Sequence, residues 1–508
     1  MRRPFQECGR RAQVQAALAP APATPGPGPQ VRAGIDRRRF GPVPDWAERI
    51  WDVIVIGAGN AALAAALAAN DRGARVLVLE RAPRWLRGGN TRHTRNIRCV
   101  HEANDFTTGS YGYEEFWRDL CDVGDGPNDE KLAQFTIRSS ASLLGWMQEH
   151  GIRWQRPLAG TLQLGRTNQF LLGGGKALLN SYFREIAARP GITVVYEAMI
   201  GEIEVDGPAC TSVLVGYQGE VYRVRLRSLV CASGGFEANI DWLRRYWGAA
   251  VDNYVIRGTP YNDGHILDRL YRNHAAPAGQ EKGFHAVAVD ARAPRFDGGI
   301  ATRLDTIPFG IALNARGERF YDEGEAIWPK RYATWGTHIA RQPGQIAYSL
   351  WDAKVNRLFL PPMYGTASAA DISTLATALG LEPGRVARTV AEYNAAVEEA
   401  GVFNPDVLDG KRTRGLTPEK TNWAQRLDTP PFFGVAMRPG ITFTYMGVRV
   451  ASDARVVLTD GSTFENVYAA GEIMSGNILS TGYMAGFGMT IGGVWGRHAG
   501  TEAASRDR

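Results

Sequence analysis

Two kinds of residue in this chain could do chemistry: glycine-rich turns behind apolar runs, and cations crowded behind one such turn. Gly57-Ala58-Gly59-Asn60-Ala61-Ala62 has the GxGxxA spacing, and Glu80 follows about 20 residues after it. Gly57 suits a tight turn, Gly59 lets backbone approach a pyrophosphate, and Ala62 lets helix and strand pack closely. A helix beginning at Asn60 and Ala61 would point free N–H groups at phosphate. Glu80 is placed to accept hydrogen bonds from a ribose, with Arg81 beside it. The chemistry is dinucleotide binding; the alternative is a βα turn that holds nothing.

A second group runs from Gly88 to Arg98. Gly88, Gly89, Asn90 and Thr91 form a turn of small residues with open N–H groups. Arg92, His93, Arg95 and Arg98 then put four cations within seven residues. This close behind a cofactor strand, such a loop is expected to face phosphate or an anionic substrate; the alternative is a solvated basic loop. Two more turns follow apolar runs: Ala232-Ser233-Gly234-Gly235-Phe236 and Ala470-Gly471-Glu472. Residues 476–493 are dense in glycine, Gly486 and Gly488 among them, as close approach of backbone to a flat ring requires. A glycine-rich helix packed on a sheet is the alternative.

These motifs need elements to hold them. Residues 53–56 are an apolar, β-branched run, the pattern of a buried parallel strand. Residues 61–69 read as a helix stopped by Gly73, and 75–79 as a second buried strand, completing a βαβ unit. Residues 192–196, 200–205 and 213–217 alternate like strands of a small sheet, and 221–230 form a strand leading into Cys231. From residue 281 the composition changes, and helical patterns appear, as at 386–400. The expected division is a disordered basic, proline-rich extension (1–45), a cofactor-binding domain in two parts (46–280 and 443–508) and an inserted domain (281–442).

Bulk properties narrow the class. At 508 residues the chain is too long for one simple core. The net charge of +6 is concentrated in residues 1–50, which hold nine Arg against four acids, so a nucleic-acid surface is not expected. No apolar run is as long as a membrane span. The five cysteines are scattered without a CxxC, so no metal site is expected, and they read as reduced cytoplasmic thiols.

The ordered set of GxGxxA with Glu80, Gly-Gly-Asn-Thr, Ala-Ser-Gly-Gly-Phe and Ala-Ala-Gly-Glu resembles the fumarate reductase and succinate dehydrogenase flavoproteins. The resemblance runs from about Trp51 to Ala504. It implies an α/β fold: a two-part Rossmann-like domain binding FAD, with an α+β capping domain as an insertion. Within the family, residues 88–96 and 439–445 look most like the tricarballylate dehydrogenases, which oxidise tricarballylate to cis-aconitate and pass electrons to a separate partner. Asn90 lies where succinate dehydrogenases carry their flavin-linking histidine, so FAD is expected to be non-covalent. Glu323, in Arg319-Phe320-Tyr321-Asp322-Glu323, matches a segment that implies a proton-relay role. The family's catalytic arginine would fall at Asn356, with Arg357 one step away.

The expected enzyme desaturates a CH–CH unit next to a carboxylate. Small polycarboxylates would be held by Arg92, His93, Arg95 and Tyr483, with Arg357, Glu323 and Arg331 as the catalytic candidates. Because residues 482–492 also resemble ketosteroid dehydrogenases, an uncharged ketone is the first alternative substrate. Fumarate or succinate chemistry, a flavin oxidase of tetrapyrrole biosynthesis, and a non-catalytic electron-transfer flavoprotein are the others.

Overall fold

The computed structural model describes residues 43–506, apart from 125, 159 and 297–299. The extension expected at 1–45 therefore lies almost wholly outside the described residues. Asp45–Glu48 forms one helical turn, and Trp46 sets its ring edge-on against Tyr217 and Tyr222.

Ile50–Ile56 is the centre of an eight-stranded sheet. Its apolar residues 53–55 are fully buried, as are 76–78 of the neighbouring strand, because helices and loops cover both faces. Val76–Leu79 and Glu220–Cys231 pair with it in parallel on either side. Ile192–Val195 and Thr463–Ala469 extend the parallel region outward. Ile56, Cys231 and Ala469 end in register. The turns at 57–62, 232–236 and 470–472 therefore meet along one carboxyl edge, where parallel α/β sheets bind ligands.

Met199–Asp206 and Ala209–Tyr217 do not form a separate small sheet. They run antiparallel into Glu220–Cys231 and so belong to the main one. The long final helix, Phe487–Ser505, packs along Asn60–Asp71. A Cβ on Gly496 or Gly500 would collide with the carbonyl oxygen of Ala61 or Ala65. These two C-terminal glycines and the alanines of residues 61–69 thus serve one close helix crossing, not a ring.

A second, six-stranded sheet gathers Phe284–Asp290, Ala347–Asp352 and Ala367–Ala369 on the long strand Phe432–Thr444, with Ile311–Asn314 paired beyond Ala347–Asp352. Val255–Ile256 also pairs with the long strand, upstream of the expected boundary at 281. Helices Ile372–Ala378 and Pro383–Ala396 contribute Leu375, Val386, Val390 and Tyr393 to a separate apolar cluster with Ile311, Leu313 and Leu350. At the other end of this sheet Arg257, His285, Thr442 and Phe443 lie together and face the first sheet's turns.

Cys99, Cys210 and Cys231 are buried free thiols. Among the described residues no helix is long and apolar enough to cross a membrane.

Candidate functional site

One elongated cavity runs from the carboxyl edge of the first sheet to the end of the second. Its first half is built from the glycine turns. Gly57 has φ +102°, and a Cβ there would stand 2.5 Å from the Ala232 carbonyl oxygen. Only glycine lets these two turns approach so closely. Gly59 precedes the helix Asn60–Asp71, whose N-terminus opens on the cavity. The Asn60 backbone N–H donates to Thr91 Oγ1 at 3.0 Å, which ties the Gly-Gly-Asn-Thr turn to that N-terminus. Asn60 Nδ2 donates to the Met489 carbonyl, while its buried Oδ1 has no partner among the described residues.

Glu80 lines the cavity, one oxygen accepting from the Ala82 N–H at 2.7 Å. Burial pushes its carboxyl up, and backbone N–H groups oppose the shift. Arg81 is paired with Asp263 at 2.6 Å. Ala61, Gly89, Asn90, Thr91, Gly234, Gly471, Glu472, Gly486 and Gly488 also line the cavity, whereas Gly88 and Gly235 do not. Gly88 packs on Leu179, and Gly235 on Thr444 and Glu472. Asn90 acts as a strut: its Nδ2 donates to Glu237 and to the Thr442 carbonyl, and its Oδ1 accepts from the Thr259 N–H at 2.9 Å. A cradle a side chain would fill, an open helix N-terminus and an acid at the second strand's end fit a dinucleotide such as FAD.

Beneath this half lies a buried pair of acids. Glu237 accepts from Asn262 Nδ2 at 2.8 Å and from Asn90. Glu472 accepts from the Thr444 N–H at 2.8 Å. Burial pushes Glu237 up to about 7. Glu472 is pushed well up too, through burial and then the charge of Glu237. Two buried carboxyls so close cannot both ionise readily.

The second half is cationic. Arg95, Arg257 and Arg303 line it with His285, Tyr332 and Tyr483. Asp305 neutralises part of that charge, at 2.6 Å from Arg303 and 3.7 Å from Arg95, and its other oxygen accepts from Trp328 Nε1. Arg257 donates to Thr442 Oγ1 at 2.9 Å. Burial, then the charge of Arg303, pulls Arg95 and Arg257 each down to about 10. Arg303 moves the other way: burial opposes its charge, and Asp305 more than restores it. Nε and Nη2 of Arg95 have no hydrogen-bond partner among the described residues. His285 stacks on Tyr483 with ring centroids 4.1 Å apart, and neither of its ring nitrogens has a partner there. Burial and the flanking arginines hold its pKa well below the usual histidine value, so it is neutral.

The sequence candidates divide accordingly. His93, Arg95 and Tyr483 line the cavity. Arg92 and Arg98 do not: Arg92 reaches the Trp85 carbonyl, and Arg98 is spent on the Ala485 carbonyl, the Tyr111 hydroxyl and Asp119. Arg331 pairs with Glu325, outside the cavity lining. Glu323 is fully engaged by Arg319 and the Ala312 N–H. Arg357 is exposed beyond the end of Ala347–Asp352. The sequence reading missed Arg257, Arg303, His285 and Tyr332. Arg257 stands one residue past a two-residue strand, and the other three are isolated in sequence, so only tertiary contact gathers them.

Fold and site define a flavin-binding protein of the oxidoreductase class. Residues 52–488 match the family of FAD binding domains, and the chain belongs to that family of fumarate reductase and succinate dehydrogenase flavoproteins. It is 27% identical over 486 residues to an NADH:fumarate oxidoreductase of Klebsiella pneumoniae (strain 342), covering 91% of this chain and 48% of that protein. The chain thus spans about half the length of that relative. Among solved structures it resembles the open conformation of a flavocytochrome c3 fumarate reductase, with a TM-score of 0.69 at 20% identity, covering 90% of this chain and 79% of that one. It also resembles a 3-ketosteroid-delta4-(5alpha)-dehydrogenase of Rhodococcus jostii RHA1, with a TM-score of 0.67 at 20% identity, covering 91% and 98%. At these identities the likeness speaks for the fold alone.

Proposed function

We propose that this protein is an FAD-dependent enzyme that interconverts a CH–CH unit and its alkene in a small polycarboxylate, with tricarballylate and cis-aconitate as the pair. The observation that carries this is the convergence of Arg95, Arg257 and Arg303 on one cavity, where Asp305 pairs with Arg303 and Arg95. Three buried guanidiniums lining one cavity favour an incoming anion. A tri-acid supplies that charge, since each carboxylate accepts a bidentate fork.

Bound FAD supplies the two-electron chemistry, and the residues of the first half fit it without a covalent link. The chain's own part is to hold the substrate carboxylates and exclude water from the reacting carbons. A separate electron-acceptor protein then completes turnover. The aromatic wall of His285, Phe443 and Tyr483 favours one competing reading, an uncharged ketone stacked on those rings. An anaerobic panel separates the two: tricarballylate, succinate and a saturated cyclic ketone are each added to oxidised protein, and the flavin band is followed. Bleaching by tricarballylate supports the proposal; bleaching by the ketone alone overturns it.

A further inference from the structure

The family's position for a catalytic arginine is filled here by Asn356 and the exposed Arg357, so some other group must carry the substrate proton. A proton-transfer group must line the cavity and be free to meet the substrate. Glu323 fails because Arg319 and the Ala312 N–H occupy it. Asp305 fails because Arg303, Arg95 and Trp328 hold it as an anion. The Tyr483 hydroxyl accepts from the Gly488 N–H at 3.0 Å and lies beneath the His285 ring. Glu472 is bound by Thr444 and shares its proton with Glu237. Tyr332 remains. It lines the cavity, and its hydroxyl makes no hydrogen bond with another of the described residues. The Arg303 guanidinium lies 4.7 Å from its ring centre, and His285 meets the ring edge-on at 5.2 Å.

We infer that Tyr332 is the catalytic acid and base, giving a proton to one alkene carbon and taking it back in the reverse reaction. In reduction the Tyr332 O–H bond breaks, a C–H bond forms, and the phenolate keeps the electron pair; the hydride for the other alkene carbon would come from reduced FAD held in the first half. In desaturation the phenolate takes that proton, and the hydride would leave to oxidised FAD. Arg303, Arg257 and Arg95 face Tyr332 and stabilise the phenolate, while Asp305 opposes it; Tyr483 and Tyr445 also face it, and burial keeps both neutral. His285, held neutral, adds no charge. Burial keeps the resting phenol protonated. This assignment uses the proposed reaction class but not the identity of the substrate.

The test uses FAD-loaded full-length protein, reduced anaerobically, then mixed with cis-aconitate, fumarate or a cyclic enone. Whichever compound reoxidises wild type is carried forward, so failure of the polycarboxylate reading is seen separately as enone-only turnover. Tyr332→Phe removes one hydroxyl. It should slow reoxidation by about 100- to 10,000-fold. FAD content, and the dissociation constant read from the shift of the oxidised-flavin band, should stay within about twofold of wild type. Tyr332→His should restore part of the rate and move the pH limb towards neutral, since imidazole titrates lower than phenol. An unchanged rate in Tyr332→Phe overturns the assignment. So does equal loss in both variants with no movement of the pH limb, which marks a structural role.

Discussion

Arg257→Gln separates affinity from stability. In the native protein Arg257 is buried, with Thr442 Oγ1 at 2.9 Å, and its charge is disfavoured by burial and by Arg303. With Arg95 and Arg303 it lines one cavity, where Asp305 pairs with the other two arginines. Such a cluster is built for an incoming anion. Losing one charge-assisted hydrogen bond to that anion costs about 1.5–3 kcal/mol, a loss of affinity of roughly 10- to 150-fold. The ligand-free protein, by contrast, sheds a buried like-charge contact with Arg303, while the bond to the neutral Thr442 hydroxyl is lost. Its melting temperature should therefore hold or rise. The assay is titration of oxidised FAD-loaded protein with cis-aconitate, read from the flavin band, beside a thermal melt without ligand. Affinity within about threefold of wild type would refute the cluster's role. A large fall in melting temperature with unchanged affinity would make Arg257 a purely structural residue.

Three further outcomes are expected. Gly57→Ala puts a Cβ 2.5 Å from the Ala232 carbonyl at φ +102°, so the purified variant should be colourless, or should not fold, where wild type is yellow and releases FAD on denaturation. Arg357→Ala should leave the rate of flavin reduction within about twofold of wild type, because the side chain is exposed and outside the cavity; a large loss would return it to the site. In the fold, burial raises Glu237 to about 7 from an ordinary 4.5, so the native state keeps a proton that the unfolded chain has released. That contribution to stability is full below about 4.5 and is lost as pH rises towards 7. Glu237→Gln keeps the oxygen that Asn90 and Asn262 donate to. It should gain on wild type in melting temperature as pH rises through this window, and a difference independent of pH would refute the shift.

The cofactor half was legible in the sequence because its signals are local. A GxGxxA turn between two apolar runs fixes strand, turn and helix together, and Glu80 falls at the second strand's end. The turns after Cys231 and Ala469 could be read for the same reason. Of the glycines at 476–493 expected to approach a ring, Gly486, Gly488 and Gly492 line the cavity, while Gly476, Gly482 and Gly493 pack on Tyr445, Val123 and Leu143. A glycine looks the same in sequence whether a ligand or another residue lies against it. The substrate half was mostly illegible. The basic run at 92–98 drew attention by density, yet Arg92 and Arg98 turn away from the cavity and Arg95 alone of its arginines faces in. Arg95, Arg257, Arg303 and Tyr332 come from four segments spread over more than two hundred residues. Pairing of Phe284–Asp290 and Val255–Ile256 with the long strand Phe432–Thr444 helps gather the site.

The most direct measurement of the central claim is a single-turnover reaction of oxidised, FAD-loaded protein with tricarballylate in the absence of oxygen. The flavin band and the organic acids, by nuclear magnetic resonance, are followed in one sample. The account predicts that the band bleaches and that one molecule of cis-aconitate appears for each flavin reduced, with the yield of both falling together in Arg257→Gln at limiting substrate. A band unmoved by tricarballylate but bleached by a saturated ketone, with Arg257→Gln indistinguishable from wild type, would contradict it.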